Sequence, residues 1–239
     1  MTAKARHEGL FITFEGGEGA GKTSQITLLK EKLIKAGYEV IVTREPGGSP
    51  GAEAVRHVLL SGAAEPFGEE MEAILFSAAR SDHVATVISP ALQQGHIVIS
   101  DRFFDSTRVY QGISGKASPE FLQNLEKIAC AGTAPHLTII LDLDPKEGMK
   151  RAGERRGQLE VADRFEKESL KLQKQRRQGF LDIAKQEPER CKVIDASGNL
   201  DQVFERVWQE VEKKLQRKQG PATKKQPAPN PGRKAKKAP

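Results

Sequence analysis

The chain has 239 residues, of which 37% are hydrophobic, so it can bury the core of one sizeable domain or of two small ones. The net charge of +6 comes from the C-terminus, because residues 216–239 hold eight lysines and arginines and no acid, which leaves 30 basic against 32 acidic side chains in 1–215. A slightly acidic folded part argues against a nucleic-acid-binding domain, and no apolar run approaches the length of a bilayer-spanning helix.

The cysteines and the N-terminus predict the compartment. Cys130 and Cys191 lie far apart and form no CxxC pair, which is typical of reduced thiols in an intracellular protein. The N-terminus has no apolar segment followed by a small-residue cleavage site, so no secretion signal is predicted. We therefore expect a soluble, cytoplasmic protein that does not associate with membranes.

Short apolar runs alternate with helical patterns along the chain. The predicted strands are LFITF, EVIVT, HIVIS, LTIILDL and CKVID, at residues 10–14, 39–43, 96–100, 137–143 and 191–195. The predicted helices cover residues 23–35, 69–92, 119–131, 166–185 and 200–215, with a further one opening at 145–151. Nearly continuous Ile, Val and Leu runs are typical of strands buried on both faces of a parallel sheet. The alternation predicts an α/β fold, a doubly wound, five-stranded parallel sheet with helices on both faces.

The domain is expected to cover residues 9–215, between a flexible N-terminus at 1–8 and a basic tail at 216–239. The tail sequence QGPATKKQPAPNPGRKAKKAP contains no Leu, Ile, Val or aromatic residue, so it cannot bury enough apolar surface to offset its ordering entropy. Disorder is predicted there. Two interpretations stay open: a weak electrostatic tether to RNA or another polyanion, and a solvated extension.

The stretch GGEGAGKT fits G-x-x-x-x-G-K-[ST] and lies after a predicted strand and at the start of a predicted helix. Glycines let successive backbone N–H groups face a phosphate, and the helix N-terminus adds partial positive charge. Lys22 is expected to reach the β- and γ-phosphates, and Thr23 to offer its hydroxyl to Mg²⁺. The motif predicts a nucleoside triphosphate site formed by Gly16, Gly17, Glu18, Gly19, Ala20, Gly21, Lys22 and Thr23.

A second charged motif follows the third predicted strand. In HIVISDRFF, Asp101 ends the strand and Arg102 follows at once. Asp101 is placed to hold Mg²⁺ or its waters, and Arg102 brings positive charge to the same sheet edge. The chain contains no N-K-x-D guanine motif, which argues against a GTPase.

Seven stretches, in this order, resemble bacterial thymidylate kinases: FEGGEGAGKT, TREPGG, LFSAAR, DRFFDSTRVYQG, LDLDPKEGMKR, DRFE and IDAS. The resemblance covers about residues 9–215. That family transfers the γ-phosphoryl group of ATP to dTMP, giving dTDP, with Mg²⁺, and its members are usually homodimers. The resemblance therefore implies ATP as co-substrate, Mg²⁺ as cofactor, dTMP as acceptor and a homodimer.

The resemblance also implies an acceptor site. Arg44 grips the 5′-phosphate, while Phe76 stacks on thymine and Arg80, four residues further along one helix face, hydrogen-bonds a base carbonyl. Glu18 contacts the sugar 3′-hydroxyl and Tyr110 crowds the 2′ position. Packing within the protein stays open as the alternative for the aromatic residues and Gln111. The implied contacts are Glu18, Arg44, Phe76, Arg80, Arg102, Ser106, Tyr110 and Gln111; Glu45 has no assigned role.

The segment at about 150–164 resembles the mobile lid over the ATP phosphates, with a solvated loop as the alternative. The variable P-loop positions contain no basic residue, which is how the subclass that keeps its catalytic arginine in the lid appears. Arg155 or Arg156 is then the catalytic arginine, and Arg151 stacks on adenine. The implied catalytic set is Lys22, Asp101, Arg102, Arg155 and Arg156.

The sequence departs from the family pattern in three respects. Arg108 stands at a position beside the base that often holds an amide or apolar residue, the lid arginines are shifted by one residue relative to some relatives, and the basic tail has no counterpart. Two other functions stay open. One is a P-loop kinase for another nucleotide or for a nucleoside, and the other is an RNA-associated ATPase recruited through the tail.

Overall fold

The computed structural model describes residues 9–156 and 169–219. Most of the predicted lid, including Arg164, lies outside the described residues, as do the predicted flexible N-terminus at 1–8 and positions 220–239 of the predicted tail.

Five parallel strands form one sheet in the order β2-β3-β1-β4-β5. The strands are β1 (Leu10–Gly16), β2 (Val40–Arg44), β3 (Ile97–Asp101), β4 (Leu137–Asp142) and β5 (Cys191–Asp195). Each predicted strand is present, and helices pack on both faces of the sheet, so the predicted doubly wound α/β fold is confirmed. Because all strands are parallel, their carboxyl ends meet at one edge, which is where ligands bind in this architecture.

Nine α-helices surround the sheet in the described part of the chain. They are α1 (Lys22–Lys35), α2 (Pro50–Leu60), α3 (Gly68–His83), α4 (Ser89–Gln93), α5 (Phe104–Thr107), α6 (Pro119–Cys130), α7 (Pro145–Arg156), α8 (Leu170–Gln186) and α9 (Leu200–Gln219). A 3₁₀ turn at Glu65–Phe67 precedes α3, and π-helical segments follow α3 at Val84–Ile88 and α5 at Arg108–Ile113.

The helix predictions need four corrections. The helix predicted at 69–92 is interrupted by a π-helical segment, and α2 and α5 were not predicted. α2 opens with Pro50 and Gly51, a pair that is typical of turns, although proline also fits the first turn of a helix. α9 continues to Gln219, so residues 216–219, predicted to belong to the disordered tail, are helical. The last turn of α9 extends a helix already anchored by buried valines.

The core lies on both sides of the sheet. Leu10, Ile12 and Phe14 of β1 point to the face covered by α1 and α9, and Phe11 points to the opposite face, as the two-residue period of a strand requires. Burying one such side chain contributes about 1.5–3 kcal/mol, so the core fixes the sheet edge that carries the functional loops. Ile34, next to the buried Leu33 in α1, is half exposed.

None of the helices within residues 9–156 and 169–219 is both long and apolar enough to cross a membrane.

Candidate active site

The glycine-rich loop connects β1 to α1 and requires glycine at two positions. A Cβ at Gly16 would lie 2.5 Å from the carbonyl oxygen of Leu141, and a Cβ at Gly19 would overlap the carbonyl group of Gly148. Both glycines also have positive φ angles, 131° and 68°. The loop is therefore pressed against neighbouring backbone, and the positive end of α1 faces it, as phosphate binding requires.

Lys22, the first residue of α1, folds back over this loop. Its Nζ donates hydrogen bonds to the carbonyl oxygens of Gly16 at 3.2 Å and Gly17 at 3.0 Å. Burial, together with the neighbouring Arg102, lowers the pKa of Lys22, while Glu18 opposes that shift. A buried ammonium group held by two carbonyl oxygens is placed to exchange them for phosphate oxygens.

Thr23 and Asp101 are brought together at the carboxyl edge of the sheet. The Thr23 hydroxyl donates to Oδ2 of Asp101 at 3.3 Å. Within the described ranges no group of three His, Cys, Asp or Glu side chains could hold a metal ion. Mg²⁺ keeps several waters and is usually bound by one or two carboxylates together with substrate phosphates. One carboxylate and one hydroxyl beside a phosphate loop therefore fit Mg²⁺.

A cavity of about 140 Å³ adjoins the glycine loop. Seven of the eight residues predicted to contact the acceptor line this cavity: Glu18, Phe76, Arg80, Arg102, Ser106, Tyr110 and Gln111. Residues from the glycine loop, α3 and the segment after β3 thus converge on one space, although they are up to 93 positions apart in the sequence. We call it the acceptor cavity, after the predicted contacts that line it, and it reaches the glycine loop at Glu18.

The eighth predicted acceptor residue, Arg44, lies at the end of β2 and is paired with Asp101 in the sheet register. Its side chain is 56% exposed, and Nη2 donates to Oε1 of Glu53 at 3.0 Å. The structure therefore places Arg44 at the correct sheet edge, held by an acidic residue of α2, but does not place it in the wall of the cavity.

Sequence analysis missed several residues of the cavity wall. They are Glu45, Pro46, Arg56, Leu60, Phe103 and Thr107. Arg56 donates from Nη1 to the carbonyl oxygen of Pro46 at 2.6 Å, so the unpredicted helix α2 brings a second arginine to the turn that follows β2. The sequence signal for Arg56 was an arginine twelve residues after Arg44. It indicates a residue of the cavity wall only once α2 is known to be a helix.

Arg102 connects the glycine loop to the acceptor cavity. Its guanidinium group donates to Oε1 of Glu18, to the carbonyl oxygen of Gly16 at 3.3 Å and to the Ser106 hydroxyl at 3.0 Å. Its backbone has φ 68°, in the left-handed region that residues with a side chain seldom adopt. Strain of this kind occurs where the surrounding structure holds a residue in a functional position.

Glu18 is an anion that lies in the glycine loop and also lines the cavity. Burial alone would raise the pKa of its carboxyl group, but the positive charges of Arg102 and Lys22 lower the pKa to about 2. The Tyr110 hydroxyl donates to Glu18 Oε1 at 3.2 Å, and burial raises the pKa of Tyr110, so this hydroxyl stays protonated. The carboxylate therefore accepts hydrogen bonds from the cavity wall at every physiological pH.

Glu15, in β1, is a buried residue that sequence analysis missed. It accepts hydrogen bonds from the backbone N–H of Phe103 at 2.8 Å and from the Ser106 hydroxyl at 2.6 Å. Burial, reinforced by the negative charge of Asp105, raises the pKa of Glu15 to about 7. Its hydrogen bonds anchor the segment that directly follows Arg102.

Arg108 does not lie beside the acceptor cavity, which corrects the expectation that it occupies a position near the base. Its Nε donates to Glu126 at 2.8 Å, and Nη1 donates to Glu187 at 2.6 Å and Asp105 at 3.3 Å. These three acidic partners hold the side chain at the start of the π-helical segment Arg108–Ile113, outside the lining of the cavity.

Arg151 is the residue that the resemblance predicts to stack on adenine. Together with residues of the glycine loop and the segment after β5, it lines a second cavity of about 250 Å³. Its Nη1 donates to the carbonyl oxygen of Ala196 at 3.4 Å, within the IDAS stretch. Arg155 and Arg156 end α7, and their side chains lie outside the described residues.

A phosphate loop, a Thr–Asp pair beside it and an acceptor cavity at the carboxyl edge of a parallel sheet define a P-loop kinase of small molecules. The thymidylate kinase family model matches residues 14–207. The chain is 54% identical over 199 residues to thymidylate kinase from Bartonella quintana, covering 83% of this chain and 93% of that protein. It is 52% identical over 200 residues to the Bartonella henselae enzyme, with the same coverage.

A solved structure supports the same assignment. The crystal structure of thymidylate kinase from Ehrlichia chaffeensis matches with a TM-score of 0.67 and 34% identity, covering 85% of this chain and 98% of that chain. The chain therefore belongs to the thymidylate kinase family, which phosphorylates dTMP with ATP, and it is a phosphotransferase.

Proposed function

We propose that this protein transfers the γ-phosphoryl group of ATP to dTMP by direct in-line displacement between the glycine loop and the acceptor cavity. The observation that carries the proposal is the position of Arg102, which contacts the loop at Gly16 and the cavity at Glu18 and Ser106. A group that touches both sites can hold the acceptor phosphate against the donor. Family membership identifies the acceptor as dTMP.

On the donor side, the N–H groups of the glycine loop cradle the phosphates, and Lys22 replaces its two carbonyl partners with β- and γ-phosphate oxygens. Arg151 stacks on the adenine in the neighbouring cavity. Arg155 or Arg156, at the end of α7, neutralises charge that spreads over the migrating phosphoryl group.

Thr23 and Asp101 would hold Mg²⁺, directly or through its waters. When bound, the ion neutralises charge on the donor phosphates. The chain's own contribution is to place one hydroxyl and one carboxylate beside the phosphate loop.

On the acceptor side, Phe76 stacks on thymine and Arg80 donates to a base carbonyl. Tyr110 and Glu18 face the sugar, and their mutual hydrogen bond fixes the ring that crowds the 2′ position. The remaining acceptor contacts are Ser106, Gln111, Arg102 and Arg44; the last reaches the acceptor phosphate by leaving Glu53. No general base is required, because the attacking phosphate oxygen is already anionic.

The proposal is tested by ADP release with dTMP, dUMP, dCMP or thymidine as acceptor, with Mg²⁺ or with excess chelator. We expect rapid release only with dTMP and Mg²⁺, and slower release with dUMP, which lacks the methyl group that fits an apolar wall. Preference for dCMP or thymidine would assign the chain to another P-loop kinase activity. ADP release that depends on RNA and not on an acceptor would indicate the ATPase alternative.

We also infer a homodimer. Phe67, directly before α3, and Met71 and Ile74, in its first two turns, follow the spacing of one helical face and are 71%, 41% and 43% exposed. The Met71→Glu/Ile74→Glu double variant should elute as a monomer in size-exclusion chromatography with light scattering. Ile34→Glu places a charge at an equally exposed isoleucine of α1 and should leave the dimer intact. A wild-type monomer, or a dimeric double variant, would contradict the inference.

We propose a cytoplasmic location, because ATP and dTMP are available there and because Cys130 and Cys191 are free, buried thiols. Recovery of the native protein in a secreted or membrane fraction would contradict it.

A further inference from the structure

Glu45 is a buried acid that no part of the proposed reaction uses. It follows Arg44 at the end of β2 and is 7% exposed. Both of its carboxylate oxygens are engaged by side chains of α3: Oε2 accepts from Nε of Arg80 at 2.8 Å, and Oε1 pairs with Nδ1 of His83 at 3.1 Å. Because a carboxylate has fixed geometry, two partners on separate oxygens determine its orientation.

Arg80 is held on three sides. Besides its bond to Glu45, it donates from Nη2 to the Thr107 hydroxyl at 3.1 Å, and its guanidinium carbon lies 5.2 Å from the centroid of the Phe103 ring. The side chain is 2% exposed and lines the acceptor cavity beside Phe76. Neither hydrogen bond uses Nη1. The guanidinium group therefore faces the cavity in one orientation.

The hydrogen bonds that hold Arg80 and Glu45 continue through His83 to strand β2. Nε2 of His83 lies 2.6 Å from the Thr43 hydroxyl in β2, so His83 bridges that hydroxyl and Glu45. Gly48 leaves room for this contact, because a Cβ at that position would lie 2.6 Å from His83 Nε2. A continuous hydrogen-bonded path, from Thr43 through His83 and Glu45 to Arg80, thus connects the end of β2 to the cavity.

We propose that Glu45 is a positioning residue that sets which pyrimidine the acceptor cavity takes, by fixing the orientation of Arg80. The inference rests on the proposed function, which places the acceptor base against Arg80. A guanidinium group only donates hydrogen bonds. When it cannot rotate, it favours a base that presents a carbonyl oxygen, as thymine does at position 4, and disfavours one that presents an amino group there, as cytosine does.

The Glu45→Gln variant tests the proposal, because glutamine keeps the size of the side chain and removes the charge that holds Arg80. We expect KM for dTMP to rise about tenfold with kcat within about twofold, and the ratio of kcat/KM for dTMP over dCMP to fall about tenfold. Glu126→Gln is the matched control, since it also removes a carboxylate paired with an arginine Nε at 2.8 Å, that of Arg108, outside the cavity. Glu126→Gln should change neither KM for dTMP nor the ratio of kcat/KM for dTMP over dCMP.

A double-mutant cycle separates positioning from direct contact. In an Arg80→Gln background, Glu45→Gln should not change the dTMP/dCMP ratio further, because its effect passes through Arg80. An effect that persists there means that Glu45 contacts the base itself, and overturns the proposal. So does an unchanged ratio in Glu45→Gln protein whose circular dichroism and Tm show that it is folded.

Glu45→Asp covers the case in which the glutamine variant does not fold. It keeps the charge but withdraws it by one methylene from Arg80, so the same two quantities should change in the same direction; unchanged values overturn the proposal. The wild-type protein separates this inference from the proposed function. If it shows no preference for dTMP over dCMP, the acceptor assignment is wrong, whereas a preference that Glu45→Gln leaves intact contradicts only the role of Glu45.

Discussion

Replacing Lys22 by alanine is expected to lower kcat for dTMP phosphorylation by about 10³-fold, the upper range for removal of one preorganised donor from a transition state. Lys22 is 8% exposed and its Nζ bonds only backbone carbonyl oxygens of the glycine loop, Gly16 and Gly17, among the hydrogen bonds described. In phosphoryl transfer the protein performs little covalent chemistry, so the positive charge of Lys22 accounts for a large share of the rate enhancement.

The thermal stability of Lys22→Ala should not fall with its activity. Burial lowers the pKa of Lys22, so keeping its ammonium group charged in the folded protein costs free energy that alanine does not. Because the folded-state pKa lies below the unfolded value, this cost is complete below the folded pKa and is lost as pH rises from the folded pKa to the unfolded pKa. We therefore expect Tm of Lys22→Ala at pH 7 to equal or exceed that of the wild type.

Lys32→Ala is the matched control on the same helix. Nζ of Lys32 lies 4.2 Å from the centroid of the Trp208 ring, far along α1 from the loop, so its loss should lower Tm slightly and leave kcat unchanged. Steady-state kinetics and thermal unfolding of both variants distinguish the two roles. An active Lys22→Ala protein would refute the assignment of Lys22, whatever its stability.

The features that could be predicted from the sequence are local ones. All five strands were predicted because runs such as HIVIS are apolar on both faces, and their alternation with helices leaves few alternative topologies. The glycine loop was predicted because phosphate binding needs glycine at fixed spacings, and the two fixed glycines, Gly16 and Gly21, have positive φ angles of 131° and 90°.

The features that could not be predicted depend on pairing between distant residues. Glu15 hydrogen-bonds Phe103, 88 positions away, and nothing in the local sequence of either residue indicates it. Arg44 pairs with Glu53 because α2 follows β2, and α2 was not predicted. Arg108 was placed near the base by the resemblance alone, whereas its side chain pairs with Glu126 and Glu187, which lie 18 and 79 positions away.

These distant contacts explain why one strained residue stands at the centre of the site. Arg102 follows β3 with a left-handed backbone that costs about 1 kcal/mol for a residue with a side chain. Glu15 stabilises the turn by accepting hydrogen bonds from Phe103 and Ser106, which follow the strained residue in the chain. The buried acid thus holds Arg102 in an orientation from which its guanidinium group reaches Glu18 and Gly16 together.

Arg102→Ala should therefore lower kcat/KM for dTMP by about 10³-fold, because the variant loses a guanidinium group that contacts both Gly16 of the loop and Ser106 of the cavity wall. Arg102→Lys should recover little of this loss, since a single ammonium group cannot serve three acceptors in the directions that the guanidinium fork does. KM for ATP should change less than KM for dTMP, because Lys22 and the loop backbone remain.

Arg108→Ala is the control for loss of a paired arginine. Arg108 lies six residues further along the chain and pairs with Glu126, Glu187 and Asp105 away from the cavity, so its removal should lower Tm and leave kcat/KM nearly unchanged. Initial rates at varied dTMP and ATP, with thermal unfolding of each variant, provide the comparison. Equal losses of kcat/KM in both variants would mean that Arg102 acts through stability, and a fully active Arg102→Ala protein would show that the phosphoryl group is transferred without it.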